Sequence, residues 1–138
     1  MDQSIAIAYA ATDALSGVAT STGQSTQSDA YTYPLGVTTQ AANDRDRADN
    51  VGFATTSFTV RVTHESLCNL FRRFVTNDGV ENSLCSKLAA AAASTARGNL
   101  TPARNQLDAY AREVKAISGK WVTAGQAEIL IRLVAALA

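Results

Sequence analysis

Cysteine is almost missing from this chain: Cys68 and Cys85 are the only two. Histidine and tryptophan occur once each, as His64 and Trp121, and proline twice. A Ser-His-Asp or Cys-His nucleophilic arrangement would have to be built around His64. That residue falls in a connector, and no oxyanion-hole glycine motif accompanies it. Excess charge is also missing, since 12 Lys and Arg balance 12 Asp and Glu. This removes the simplest argument for a nucleic-acid partner, because phosphate binding rests on a basic excess. No apolar run approaches the roughly 20 residues that span a bilayer, which speaks against a membrane partner. The start, Met1-Asp2-Gln3-Ser4, has an acid where an export signal has Lys or Arg, and Ile5–Ala8 is too short for its apolar core. The chain therefore reads as a piece of a longer protein or as a reading frame that lost its front.

What is present changes character along the chain. Thr, Ser, Gly and Asp dominate the first half, and Ala, Leu and Arg at helical spacing dominate the second. The seam lies at Thr63-His64-Glu65-Ser66, which divides the chain into 1–63 and 65–138. Hydrophobic residues make up 46%; many are alanine, so the cores are expected to be thin.

The first half predicts strands. Ala54, Phe58, Val60 and Val62 alternate with Ser57, Thr59 and Arg61, the period of a half-buried strand. Ile5, Ile7 and Tyr9 alternate in the same way. Tyr31-Thr32-Tyr33 leads into a turn at Pro34-Leu35-Gly36, and Val37–Gln40 resumes an extended run. Thr20–Asp29 is polar and featureless enough to read as disordered. Short strands with regular turns point to a β-sandwich, and roughly 60 residues is short for a complete one. The expectation is an incomplete sheet with an exposed edge.

The second half predicts four helices. The first, about Ser66–Thr76, carries Leu67, Leu70, Phe71 and Phe74 on one stripe and ends at Asn77-Asp78-Gly79. The second, about Ser83–Arg97, ends at Gly98-Asn99, residues that tolerate a left-handed cap. The third begins at Thr101-Pro102, with Leu107, Tyr110, Val114 and Ile117 on its apolar face, and stops at Gly119. The fourth begins at Thr123 with Gln126 three residues on, a capping box, and turns Leu130, Ile131, Val134 and Leu137 inward. Short connections favour an antiparallel four-helix bundle.

Candidate chemistry is sparse. His64 and Cys68 lie four residues apart and would share a helix face, with Cys85 as a third N/S ligand for zinc. Glu65 or Asp78 would have to complete that site, and a solvated His64 is the plainer reading. Asn43–Asn50 holds Asp44, Asp46 and Asp49, oxygen donors suited to calcium, with Asp13 from a neighbouring loop. Arg45 and Arg47 oppose a cation there, and Ala48 breaks the EF-hand order, so a solvated turn is the plainer reading. Arg72-Arg73 between Phe71 and Phe74 is explained by helical spacing, arginines outward. Glu113 and Glu128 fall on different helices. Cys68 and Cys85 both fall near helix starts. In an antiparallel hairpin this separates them, whereas a short first helix or a steep crossing would let them meet.

The order of Ser83-Leu84-Cys85-Ser86-Lys87-Leu88, Arg97-Gly98-Asn99, Gln106-Leu107-Asp108-Ala109-Tyr110, Glu113-Val114, Gly119-Lys120 and Thr123-Ala124-Gly125-Gln126-Ala127 resembles the FIMAH domain, a helical module at the C-termini of bacterial secreted and surface proteins. The first half resembles the C-terminal portion of an HYR or bacterial Ig-like domain, through Ala11–Val18, Tyr33–Thr39 and Ser57–Val62. These resemblances imply a two-part chain, an incomplete all-β Ig-like domain followed by an all-α helical domain. They imply a Cys68–Cys85 disulfide and an extracellular or cell-surface setting. The implied role is a non-catalytic accessory module. The residues call for no cofactor and no metal, and the partner is left open, with an upstream domain of a parent protein and a cell-surface polymer as candidates. The alternative is a module that grips a peptide, glycan or cell-wall polymer.

Overall fold

A computed structural model describes all residues, Met1–Ala138. It holds two small antiparallel sheets and four helices, a mixed α/β content. The chain divides into two compact units, one formed by Gln3–Arg61 and the other by Val62–Ala138 together with Met1–Asp2. The expected seam thus moves slightly upstream, and the first two residues join the helices. Asn69 Nδ2 donates to Asp2 Oδ2 at 2.9 Å and Arg73 Nη1 to the Asp2 carbonyl at 3.1 Å.

In the first unit β1 (Ser4–Ile7) pairs with β3 (Thr26–Asp29), and β2 (Val18–Ser21), β4 (Gly36–Asp46) and β5 (Val51–Val60) form a sheet in the order β2-β4-β5. The five strands are fewer than the seven of a complete Ig sandwich. β4 and β5 run in unbroken register from Gly36 opposite Val60 to Arg45 opposite Val51. The alternation in Ala54–Val62 is realised only at one end. Phe58 is half-buried, edge-on to Tyr33 with ring centroids 5.0 Å apart, and Val60 is buried, but Ala54 is exposed. Ile5, Ile7 and Tyr9 do share a half-buried face.

Two sequence expectations fail here. Thr20–Asp29 is not featureless, because it contributes to β2 and forms β3. Asn43–Asn50 is not a single loop: Asn43–Asp46 completes β4, and only the turn before β5 lies outside the ladder. Both segments are ordered by backbone pairing with a neighbouring strand, which needs no apolar side chain and leaves no periodicity to read.

In the second unit α1 (His64–Phe74), α2 (Asp78–Ala96), α3 (Leu100–Ile117) and α4 (Ala124–Ala135) enclose a common core. Leu67, Leu70, Phe71, Leu84, Leu88, Tyr110, Val114, Leu130 and Leu133 are essentially inaccessible to solvent. Each such Leu stabilises the unit by about 1.5–3 kcal/mol relative to exposure. α2 and α3 lie close because α2 turns Ala91 and Ser94 into the core, where larger side chains would hold the axes apart.

The helix boundaries correct the sequence reading. α1 starts at His64, not Ser66, because Thr63 is its N-cap: Thr63 Oγ1 accepts from Ser66 N at 3.0 Å and Ser66 Oγ from Thr63 N at 2.9 Å. Asn77 does not merely end α1; its side chain accepts from Val80 N at 3.0 Å and starts α2 five residues earlier than Ser83. α3 starts at Leu100, which puts Pro102 within the first turn, where no backbone donor is lost. In α4 Leu133 joins Leu130 and Val134 in the core, while Ile131 and Leu137 are only half-buried. The signals that held are Gly98 (φ 76°), whose N–H and that of Asn99 close a Schellman cap on Thr95 and Ser94, and the Thr123–Gln126 capping box.

Candidate functional site

Cys68 and Cys85 form a disulfide, with Cα atoms 5.2 Å apart. The early start of α2 makes this possible. Cys68 has six residues of α1 after it, and Cys85 has seven of α2 before it. At a rise of 1.5 Å per residue both lie ~9–10 Å from the connecting turn, so they stand level across the hairpin. Placing both at helix starts had set them at opposite ends.

The bridge crosses a groove between α1 and α2 of about 440 Å³. His64, Cys68 and Arg72, on successive turns of α1, line one wall, and Asn82, Cys85 and Ser86 of α2 the other. His64 is therefore a helix residue at a groove, not a solvated residue of a connector. Its buried Nε2 has no hydrogen-bond partner, and burial holds its pKa below the ordinary 6.5. Arg72 Nε bridges to Glu81 Oε1 at 2.7 Å and Arg72 Nη1 donates to Asn69 Oδ1 at 3.3 Å, so the groove's one guanidinium already has partners. The zinc set comes together in space without working ligands: both sulfurs are bonded to each other, and a metal needs thiolates. Glu65 lines the groove, but Asp78 does not.

Elsewhere the ionisable groups serve the fold. Lys87 Nζ lies 2.6 Å from Glu113 Oε2 and joins α2 to α3. Burial works against the Glu113 charge, but the hydrogen bonds from Lys87 and Ser83 outweigh it and hold the carboxyl below its ordinary range. Tyr110 carries a buried hydroxyl without a hydrogen-bond partner, and burial raises its pKa strongly. Its ring meets Phe71 edge-on at 6.4 Å, so packing accounts for its position.

In the sheet unit the carboxylates considered for calcium are committed to turns. Asp46 Oδ1 accepts from Ala48 N and Asn50 N, each at 2.8 Å, and its Oδ2 from Asn50 Nδ2 at 2.7 Å. Asp13 Oδ1 accepts from Leu15 N at 2.7 Å and Ser16 N at 3.0 Å. These bonds keep both pKa values below the ordinary 3.8, for Asp13 through the backbone of Leu15 and Gly17, for Asp46 through the Asn50 side chain. Asp49, in the left-handed region at φ 67°, pairs with Arg45 at 3.0 Å. Asp44 accepts from the Tyr9 hydroxyl, which raises the tyrosine pKa. The Tyr9 ring lies directly on Gly23, where any Cβ would overlap it. Asp13, Asp44 and Asp46 do line one cavity of about 300 Å³. No group of three or more His, Cys, Asp or Glu side chains is disposed to hold a metal ion.

A larger cleft, about 490 Å³, opens where Ile7 and Tyr9 of the β1 segment face Ala42, Ala54 and Thr56 of the β4–β5 ribbon. Sequence reasoning missed this cleft, since alanine and threonine on a strand give no sign of whether they are covered. No helix is long and apolar enough to cross a membrane. No family model, curated protein or solved structure matches the chain.

Proposed function

We propose that this chain is a non-catalytic accessory module of a secreted or surface-associated bacterial protein, made of an incomplete Ig-like β domain and a FIMAH-like four-helix bundle. It acts as a spacer or contact module and makes no chemical change in a partner. The observation that carries this reading is the Cys68–Cys85 bridge. Structural disulfides persist in oxidising compartments and are rare where glutathione keeps thiols reduced. The use of Asp13, Asp46, Glu113 and Arg72 to cap turns and join helices supports it further. The test is intact mass of protein purified under oxidising conditions, before and after reduction and alkylation. The expected result is a gain of two alkyl groups only after reduction; two free thiols at the outset would reject the reading.

The groove between α1 and α2 favours a second reading, a module that grips a peptide, glycan or cell-wall polymer. Its polar lining of His64, Asn69, Asn82 and Ser86 offers donors and acceptors beside an apolar floor of Leu88 and Ala89. Cosedimentation with purified cell-wall material separates the two. Binding that His64→Ala abolishes selects the gripping module, and no binding selects the spacer.

A further inference from the structure

β5 is the outer strand of the sheet β2-β4-β5, so one side of its backbone is unpaired along Val51–Val60. Proteins usually guard such edges with charge, proline, a bulge or a covering element. β5 has none of the first three: its sequence, Val-Gly-Phe-Ala-Thr-Thr-Ser-Phe-Thr-Val, holds no charged residue and no proline, and its register with β4 is unbroken. Nor is it covered, because every residue from Val51 to Ser57 is exposed, with Phe53 at 79%. β-branched and aromatic residues suit strand pairing. A formal net charge of zero leaves no monopole repulsion between copies.

We propose that β5 is a self-association site, at which two copies of this chain join edge to edge and antiparallel into one continuous sheet, β2-β4-β5-β5-β4-β2. Symmetry and side-chain pairing fix the register. A two-fold axis perpendicular to a sheet requires one residue to lie opposite its own copy, because only then do side chains on one face meet side chains on the same face. With Thr55 on the axis, the strand pairs with its copy from Val51 opposite Thr59 onward. On one face Gly52 meets the partner copy's Phe58, an aromatic ring covering a bare glycine backbone. On the other, Thr55 meets Thr55 and Val51 meets Thr59, pairings favourable in antiparallel sheets. Moving the axis to Thr56 would set Gly52 against Val60 and lose that covering ring. A ten-residue edge is a small interface, so the dimer is weak, with a dissociation constant on the order of micromolar. The pairing holds whether or not the helical unit binds anything.

The test uses the full chain, with mass followed by sedimentation velocity over a range of concentrations. The expected result is a monomer–dimer equilibrium that Thr55→Lys weakens at least tenfold, because two like charges then face each other on the axis. Thr55→Glu should do the same, and an equimolar mixture of the two variants should restore the dimer. Thr55→Cys adds the only free thiol and should cross-link two chains on mild oxidation, whereas Ser57→Cys, four positions from its own copy, should not. The cysteine pair also tests the seam if the charged variants fail to fold. A wild-type chain that stays monomeric at every concentration would overturn the proposal. So would a dimer indifferent to Thr55→Lys, an open-ended polymer in place of a dimer, or cross-linking of Ser57→Cys in preference to Thr55→Cys.

Discussion

The two halves of the chain solve the problem of holding a fold together in different ways. From Gln3 to Arg61 only Ala30 and Val60 are shut away from solvent, and the unit is held by strand ladders, by the Tyr9–Asp44 hydrogen bond and by turns that Asp13 and Asp46 cap. The helical half buries leucines from every helix, together with Phe71, Tyr110, Val114 and Val134, and adds a covalent bridge. Backbone hydrogen bonds to a neighbouring strand contribute only about 0.5–1.5 kcal/mol each, since water competes for the same groups. Apolar burial is larger per residue and accumulates in a closed core. A unit held mainly by its ladders keeps unsatisfied edges and a thin interior, which is the condition for completing itself with a further strand.

The sharpest way to break this contrast is to truncate one large side chain in each half. Leu130→Ala should destabilise the helical unit by about 2–5 kcal/mol, through lost burial and the cavity left behind. Phe53→Ala should change the sheet unit by no more than about 0.5 kcal/mol in the monomer, because its ring is exposed. Urea denaturation of both variants reads the difference, with Trp121 fluorescence reporting on the helical half. Equal losses would show that the sheet unit has a core of the same kind.

The disulfide comes next in size. Closing a loop with a sequence separation of 17 stabilises by about 3 kcal/mol in the chain-entropy model. A Cys68→Ser, Cys85→Ser double variant should therefore melt earlier in the helical half and leave the strand resonances of the other half unmoved below that transition. Loss of both halves together in one earlier transition would mean that the units do not unfold separately.

Acid gives the smallest effect, a loss of stability in both halves that sets in at different pH. Burial depresses His64 below 6.5, so the uncharged ring is favoured by the fold. Its contribution is complete above that pH and is lost as pH falls through the folded value. Asp13 and Asp46 are depressed below 3.8 by turn hydrogen bonds, so their contribution survives until pH falls beneath 3.8. In NMR spectra recorded through an acid titration, helical resonances should weaken before those of the β4–β5 turn. The opposite order would remove the turn carboxylates as supports of the sheet.

Residues whose role depends on the chain within four positions were legible beforehand. Thr123 with Gln126, Gly98 with Asn99, and the Leu67–Leu70–Phe71 stripe are local statements, and each stands in the structure as written in the sequence. Asn77 was harder, because asparagine both ends helices and begins them, and only the Val80 amide on its side chain decides which. Ile131 and Leu133 are equally apolar, and the choice of Leu133 for the interior depends on how α4 is rotated against its neighbours. Thr20–Asp29 and Asn43–Asp46 gave no periodicity because their order comes from a partner strand distant in sequence.

The sequence alone determined the division into a strand-forming half and a helix-forming half, the caps at Thr123 and Gly98, and the apolar stripes, all set by steric and hydrogen-bonding preferences over a few residues. Tertiary structure decided the rest. It set Cys68 level with Cys85, brought His64 to a groove, left Ala54 and Thr56 uncovered, and made β5 the outer strand of its sheet. Those outcomes depend on where segments distant in the chain come to rest, and no local preference encodes that distance.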